Sequence, residues 1–283
     1  MASRAEQKAQ ARAQRIEFER KQAEAEQRKQ RLMRLAGVGL VAVIVVVAAI
    51  VISSGGGGGT PPVKPTSTAA QGIVTRVNGL LAGIGQSGGN NTLGNPSAPV
   101  QVTEYGDLEC SACDSFALPT TVKTSSGTPG TGVEDQLIKT YVRPGKASLV
   151  YRSLDTATGN GATPQMFAAQ QAAALAAGLQ GKAWYYIELF YAEQGAEGST
   201  YVNESYLDGL AKQVPGLSYS KWLADRNKSN LTAQVQSDAA VASSLNLTNT
   251  PSLVVKGPKG QAAPIQGVPS WSQLQAAIKS VGG

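Results

Sequence analysis

"EYGDLECSACDSF", residues 104–116, holds the only two cysteines of a 283-residue chain, Cys110 and Cys113. The run leading into it, "VQVTEYGD", alternates apolar and polar side chains with Val100, Val102 and Tyr105 as its apolar members, which is the period of a strand. A helix is expected to begin at the cysteines. A Cys-x-x-Cys pair at such a turn admits three chemistries: a metal clip, a structural staple, or a pair that exchanges electrons.

Composition separates them. A structural zinc site takes four nitrogen or sulfur ligands, and this chain offers two thiols and no histidine. A disulfide bracketing two residues closes a very small loop, so it removes little entropy from the unfolded chain. Exchange fits best. A cysteine at a helix start lies near unsatisfied backbone N–H groups and the positive end of the dipole, which favours the thiolate. Cys110 is then the exposed nucleophile and Cys113, one turn in, the buried resolving thiol.

The compartment follows from the N-terminal quarter of the chain. Residues 1–34 carry ten Lys/Arg against five Glu and read as a cytosolic, basic, helical tail. Residues 35–52, "LAGVGLVAVIVVVAAIVI", are 18 positions without a charge. As a helix they span roughly 27 Å, matching a bilayer core of about 30 Å. The long charged lead-in and the absence of a small-x-small site in "ISSGGGGG" favour an uncleaved anchor over a signal peptide. Arg28, Lys29, Arg31 and Arg34 keep the N-terminus cytoplasmic and put the rest outside the cell membrane. The cysteines then lie in an oxidising compartment. Residues 53–71, rich in Gly, Pro and Ser/Thr, read as a flexible linker. The chain beyond the tail has 15 basic and 14 acidic residues, which gives no support to nucleic-acid binding.

Residues 72–283 read as one extracytoplasmic domain. Ile73, Val77, Leu80, Leu81 and Ile84 recur at helical spacing. "TSSGTPGTG", residues 124–132, is a loop, "VEDQLIKTYV" a resumed helix and "ASLVYRSL" a strand. Residues 164–192 read as helical, with Trp184, Tyr185, Phe190 and Tyr191 as core aromatics, and one or two further helices fill 203–245. "TPSLVV" is a strand, "GPKGQAAPIQG" a hairpin-like return and "PSWSQLQAAIKSVG" a closing helix. Strand, Cys-x-x-Cys helix and strand, then a helical insertion over about 164–245, then two strands and a helix, predict an α/β thioredoxin-like fold.

Residues 80–283 also resemble the membrane-anchored DsbA-like thiol–disulfide oxidoreductases of the actinobacterial type. The likeness rests on "LLAGIGQSGGNNTLGNPSAPVQVTEYGDLECSAC", "YVRPGKASLVYRSL", "AAQQAAALAAGLQGKAWYYIELFYAEQG" and "LNLTNTPSLVV". It implies a cis-proline at Thr250–Pro251 beside the disulfide, where a substrate backbone pairs near Cys110, Ser111 and Ala112. It also implies a buried acid under the pair. Glu104, six residues before Cys110, is the first candidate for the group that accepts the Cys113 proton, and Asp107 the competitor.

The implied activity is insertion of disulfides into exported proteins. No bound cofactor is needed, and reoxidation falls to a quinone-linked membrane partner of the DsbB or vitamin-K-epoxide-reductase type. Two features depart from the family. Ser111–Ala112 replace a Pro followed by His, Phe or Tyr, and residues 124–132 look inserted. Without an imidazolium between the cysteines, the Ser111 hydroxyl and backbone amides are the remaining donors to the Cys110 thiolate, so a less oxidising pair is expected. Three alternatives stand beside this reading: a reductase or isomerase on the same fold, a peptide-binding module with an inert disulfide, and a scaffold whose working part is the charged cytosolic helix.

Overall fold

The computed structural model describes residues 68–87, 91–157 and 164–283. The basic tail and the apolar stretch 35–52 lie outside the described residues, and among those described no helix is long and apolar enough to cross a membrane.

Helix α1 (Thr68–Leu81) begins inside the segment read as linker. It is followed by short β1 (Gln86–Ser87) and β2 (Thr92–Leu93), then β3 (Val100–Gly106), α2 (Ser111–Ala117), α3 (Val133–Leu137) and β4 (Ala147–Ser153). α3 runs on into one wider turn over Ile138–Val142, where the Arg143 amide reaches the Ile138 carbonyl, an i→i+5 bond. The insertion holds α4 (Pro164–Gly178), α5 (Ala183–Ala192), α6 (Glu204–Gln213), α7 (Tyr219–Asp225) and α8 (Ser229–Ser244). The chain closes with β5 (Ser252–Gly257), β6 (Gly260–Gln261), β7 (Ile265–Gln266) and α9 (Trp271–Ser280).

The sheet order is β1-β2-β4-β3-β5-β6, with β7 also paired to β5. β3 lies parallel to β4 and antiparallel to β5, so Glu104 stands opposite Tyr151 on one side and Leu253 on the other. This is the thioredoxin-like frame the element order predicts. Alternation along β3 decides which side chains reach the cysteines. Val100 and Val102 point into the main apolar core, while Tyr105 joins a small cluster with Ala242, Leu247 and Val254 on the opposite face. Glu104 shares the parity of the valines and is fully buried with them.

Three expectations need correction. The helix expected over 164–192 is broken between Gly178 and Ala183, where Gly181 takes φ +67, a conformation glycine adopts without steric cost. The region 203–245 holds three helices rather than one or two. α2 ends at Ala117, so the loop before α3 is longer than 124–132 alone.

The Ala-rich α4 buries Ala172, Ala173, Ala174, Ala176 and Ala177, which occupy most of its circumference; a helix apolar nearly all round belongs inside a domain. α1 docks on this domain through Val77, Leu80 and Leu81. Arg143 holds its end, donating to the carbonyls of Ala82 (2.8 Å), Leu80 (2.7 Å) and Gly79 (3.3 Å). Of the four aromatics assigned to the core, Trp184, Phe190 and Tyr191 are buried there, and Tyr185 is half-buried under Lys182.

Candidate active site

Cys110 is the residue that caps α2, with extended φ/ψ of −76°/122°, and Cys113 lies in the first turn. The Cys113 amide donates to the Cys110 carbonyl at 3.0 Å, which fixes the turn. Both cysteines are thiols. Cys110 is 9% exposed and Cys113 0%, so the nucleophile is less open than the spacing predicts, although the inequality of the pair holds.

Their chemistry diverges further. The Cys110 thiol is lowered to about 7, chiefly by the hydrogen bond its sulfur receives from the Cys113 thiol. Burial opposes this, while Thr250 and the backbone amides of Cys113 and Ala112 assist it. Cys113 is pushed well above the ordinary thiol value by burial first, then by its bond to Cys110 and the charge of Glu104. Cys110 is the better nucleophile and the better leaving group at neutral pH.

Three of the expected substrate-side groups converge on Cys110. The Thr250–Pro251 peptide is cis, and the Cys110 thiol reaches the Thr250 carbonyl at 3.7 Å. Ala112 donates its amide toward the Cys110 sulfur. Ser111 departs from expectation: its amide donates to Glu197 Oε2 at 2.8 Å.

Glu104 and Asp107 part company. All the described Asp107 side-chain bonds serve the backbone: Oδ1 accepts from Glu109 N (3.0 Å), and Oδ2 from Thr156 N (2.9 Å) and Ala157 N (2.8 Å). Thr156 then bonds the Thr250 hydroxyl at 2.6 Å, so Asp107 braces the loop that carries Thr250. Glu104 Oε1 accepts from the Tyr191 hydroxyl at 3.3 Å, and Oε2 has no hydrogen-bond partner. Burial, reinforced by the charge of Glu188, raises the Glu104 carboxyl to about 8. The close quarters explain Gly106: a Cβ there would lie 2.7 Å from the Tyr151 ring, 2.9 Å from the Tyr191 hydroxyl and 3.0 Å from Glu104 Oε1.

Sequence reasoning missed the rest of this acid cluster. Glu188 on α5 and Glu134 on α3 are both fully buried. Arg76 Nη2 donates to Glu188 at 3.5 Å. Burial raises Glu188 to about 7, with Arg76 opposing, and pushes Glu134 well above its usual range, with Glu104 and Glu188 adding to the effect. Neither Glu134 oxygen has a hydrogen-bond partner. Glu109, next to Cys110, is also buried and raised to about 7 by burial, then by Asp107, Glu197 and Asp155. A lone acid inside the apolar run of α5 was the readable signal for Glu188; Glu134 and Glu197 carried none. Among the described residues no group of His, Cys, Asp or Glu is placed to hold a metal ion.

A thioredoxin-like sheet carrying two unequal thiols at a helix start, faced by a cis-proline, defines the thioredoxin-fold thiol proteins. The chain belongs to the thioredoxin family, whose model matches residues 86–280. It is 23% identical over 172 residues to a probable disulfide bond formation protein D of Bacillus anthracis, covering 59% of this chain and 69% of that protein. Its fold is similar to that of oxidised BdbD from Bacillus subtilis, with a TM-score of 0.55, 18% identity, and 71% and 98% of the two chains covered. A thioredoxin-like oxidoreductase from Silicibacter pomeroyi DSS-3 aligns with a TM-score of 0.50 and 28% identity, over 68% of this chain and 91% of that one.

Proposed function

We propose that this chain is a membrane-tethered, extracytoplasmic thiol–disulfide oxidoreductase that introduces disulfides into exported proteins. The observation that carries the proposal is the inequality of the pair: one thiol, 9% exposed, lowered to about 7, the other fully buried and raised, with Glu104 beside it. The apolar stretch 35–52 with its basic flank supports the tether and the outside location.

In the oxidised enzyme a substrate thiolate attacks the Cys110 sulfur. The Cys110–Cys113 bond breaks, and its electron pair leaves on Cys113. Cys113 holds a proton tightly, and Glu104, protonated at neutral pH, is the nearby acid that supplies one. The second substrate thiolate then attacks the substrate sulfur of the mixed disulfide and expels Cys110 as a thiolate. Two electrons have passed to the enzyme, and a quinone-linked membrane partner of the DsbB or vitamin-K-epoxide-reductase type takes them back. In the reverse direction the Glu104 carboxylate accepts the Cys113 proton as that sulfur attacks.

One observation favours a second reading, reductase or isomerase. A nucleophile at about 7 matches the value of about 7 in thioredoxin more closely than the value of about 3.5 in the strong oxidant DsbA. The reduction potential of the full chain in detergent, equilibrated with glutathione, separates the two. A value within about −120 to −180 mV supports disulfide donation or shuffling, and one near about −270 mV supports reduction. A native pair that never equilibrates with glutathione rules out both.

A further inference from the structure

Residues 193–202 leave α5 and cross the lip of the cysteine site. The strap is tied at both ends. The Tyr206 hydroxyl donates to the Glu193 carbonyl at 2.9 Å, Gly195 lies against the Tyr201 ring, and Asn203 caps α6 by accepting from Tyr206 N at 2.9 Å. Its middle grips the chain on either side of Cys110. Gln194 Nε2 donates to the Leu108 carbonyl at 2.6 Å, and Glu197 Oε2 accepts the Ser111 amide at 2.8 Å.

The Ser111 amide is one of the N–H groups left free at the start of α2, a donor set on which a thiolate at Cys110 draws. The Ala112 and Cys113 amides do reach that sulfur. The Ser111 amide is engaged by a carboxylate instead. A half-buried anion one residue from Cys110 opposes the charge the sulfur develops. Its surroundings are acidic as well: Asp107, Asp155 and Glu197 act on Glu109, and Glu197 acts on Asp114.

We propose that Glu197 is a positioning residue that sets the redox poise of the Cys110–Cys113 pair, making it less oxidising by occupying the Ser111 amide with a negative charge. This rests on the exchange reading above. In the balanced reaction, protein disulfide plus two glutathione thiols gives protein dithiol plus glutathione disulfide. Only the dithiol side carries a thiolate at Cys110, so an anion beside it disfavours that side and lowers the potential.

The test uses the full chain in detergent at pH 7, as wild type, Glu197→Gln and Glu197→Ala. Glu197→Gln removes the charge and keeps an acceptor; Glu197→Ala removes both. Each protein is equilibrated across glutathione ratios, and its dithiol fraction is read by acid quench and alkylation. Both variants are expected to shift the equilibrium constant about five- to tenfold toward the dithiol, tenfold being about 30 mV. Cys110 alkylation should also reach half-maximum at a lower pH. A strap with a purely structural role lowers the melting temperature but leaves the equilibrium constant within about twofold of wild type, and that result overturns the proposal. If the wild type equilibrates, the exchange reading survives such a failure. If it does not, both fall.

Discussion

Cys110 and Cys113 are identical side chains three positions apart, and the fold treats them oppositely. Cys110 caps a helix at the lip of the domain, with amides and a thiol aimed at its sulfur. Cys113 is sealed beneath it, over a carboxyl that is itself raised to about 8. Hydrogen bonding to the charged form governs the first site, and loss of water governs the second. One segment reaches both. Over residues 188–197, α5 and its strap supply Glu188 and Tyr191 to the acid cluster below and Glu197 to the Ser111 amide above. The helical insertion therefore sets the electrostatics of a pair that the sheet and α2 hold in place.

Removing either sulfur breaks this comparison most severely. Cys110→Ser is expected to abolish exchange altogether, read as oxidative refolding of a reduced substrate protein. Cys113→Ser keeps the nucleophile and should instead accumulate mixed disulfides visible on non-reducing gels. Equal loss in both variants with no trapped adduct would contradict their separate roles.

Glu104→Gln comes next. It should slow exchange on the order of 10²-fold, the usual reach of a positioned acid or base, while leaving the Cys110 titration nearly unmoved. The pH dependence has a defined sign. With Glu104 at about 8, proton donation to Cys113 is available at neutral pH and fails above about 8, so substrate oxidation should decline there. Substrate reduction, which needs the carboxylate, should rise through the same range. A flat wild-type profile in both directions would remove Glu104 from the mechanism.

Asp107→Ala should act on stability. It strips three backbone amides of their acceptor, at about 1–3 kcal/mol for each buried unmet donor, and urea unfolding should report a loss of roughly 3 kcal/mol or more. A loss under about 1 kcal/mol would mean that the loop carrying Thr250 does not depend on this carboxylate.

The smallest effect belongs to Glu134, whose pKa in the fold lies above its unfolded value. Such a group favours the fold most below its unfolded pKa, and that contribution is lost as pH rises toward the folded value. Glu134→Gln should therefore change little at pH 5 and raise the melting temperature at pH 9, by roughly 2–4 °C for each kcal/mol relieved. An equal shift at both pH values would show that ionisation is not the cause.

The sequence was most informative where local pattern and chemistry coincide. The alternation of Val100 and Val102 with polar neighbours located β3, and the resemblance to DsbA-like proteins implied an acid under the pair at Glu104, six residues before Cys110. "NTPSLVV" marked the proline and the strand after it. The break between α4 and α5 was written in Gly178 and Gly181 but masked by the strong helix formers around them. Asp107 and Glu104 looked interchangeable because both are acids near the turn. What separates them is face and partner: three amides meet Asp107, while the apolar side of the sheet meets Glu104. Glu134 and Glu197 reach the site only through tertiary packing, from a helix and a loop whose sequences look solvated. No spacing rule connects them to Cys110.

The most direct test of the unequal pair is site-resolved alkylation of the reduced protein across pH 5–10, with each cysteine followed by mass spectrometry. The account predicts that Cys110 alone is modified, with half-maximal rate near pH 7, while Cys113 stays protected throughout the native range. Parallel modification of both thiols with a common midpoint near that of a free cysteine, about 8.5, would contradict it.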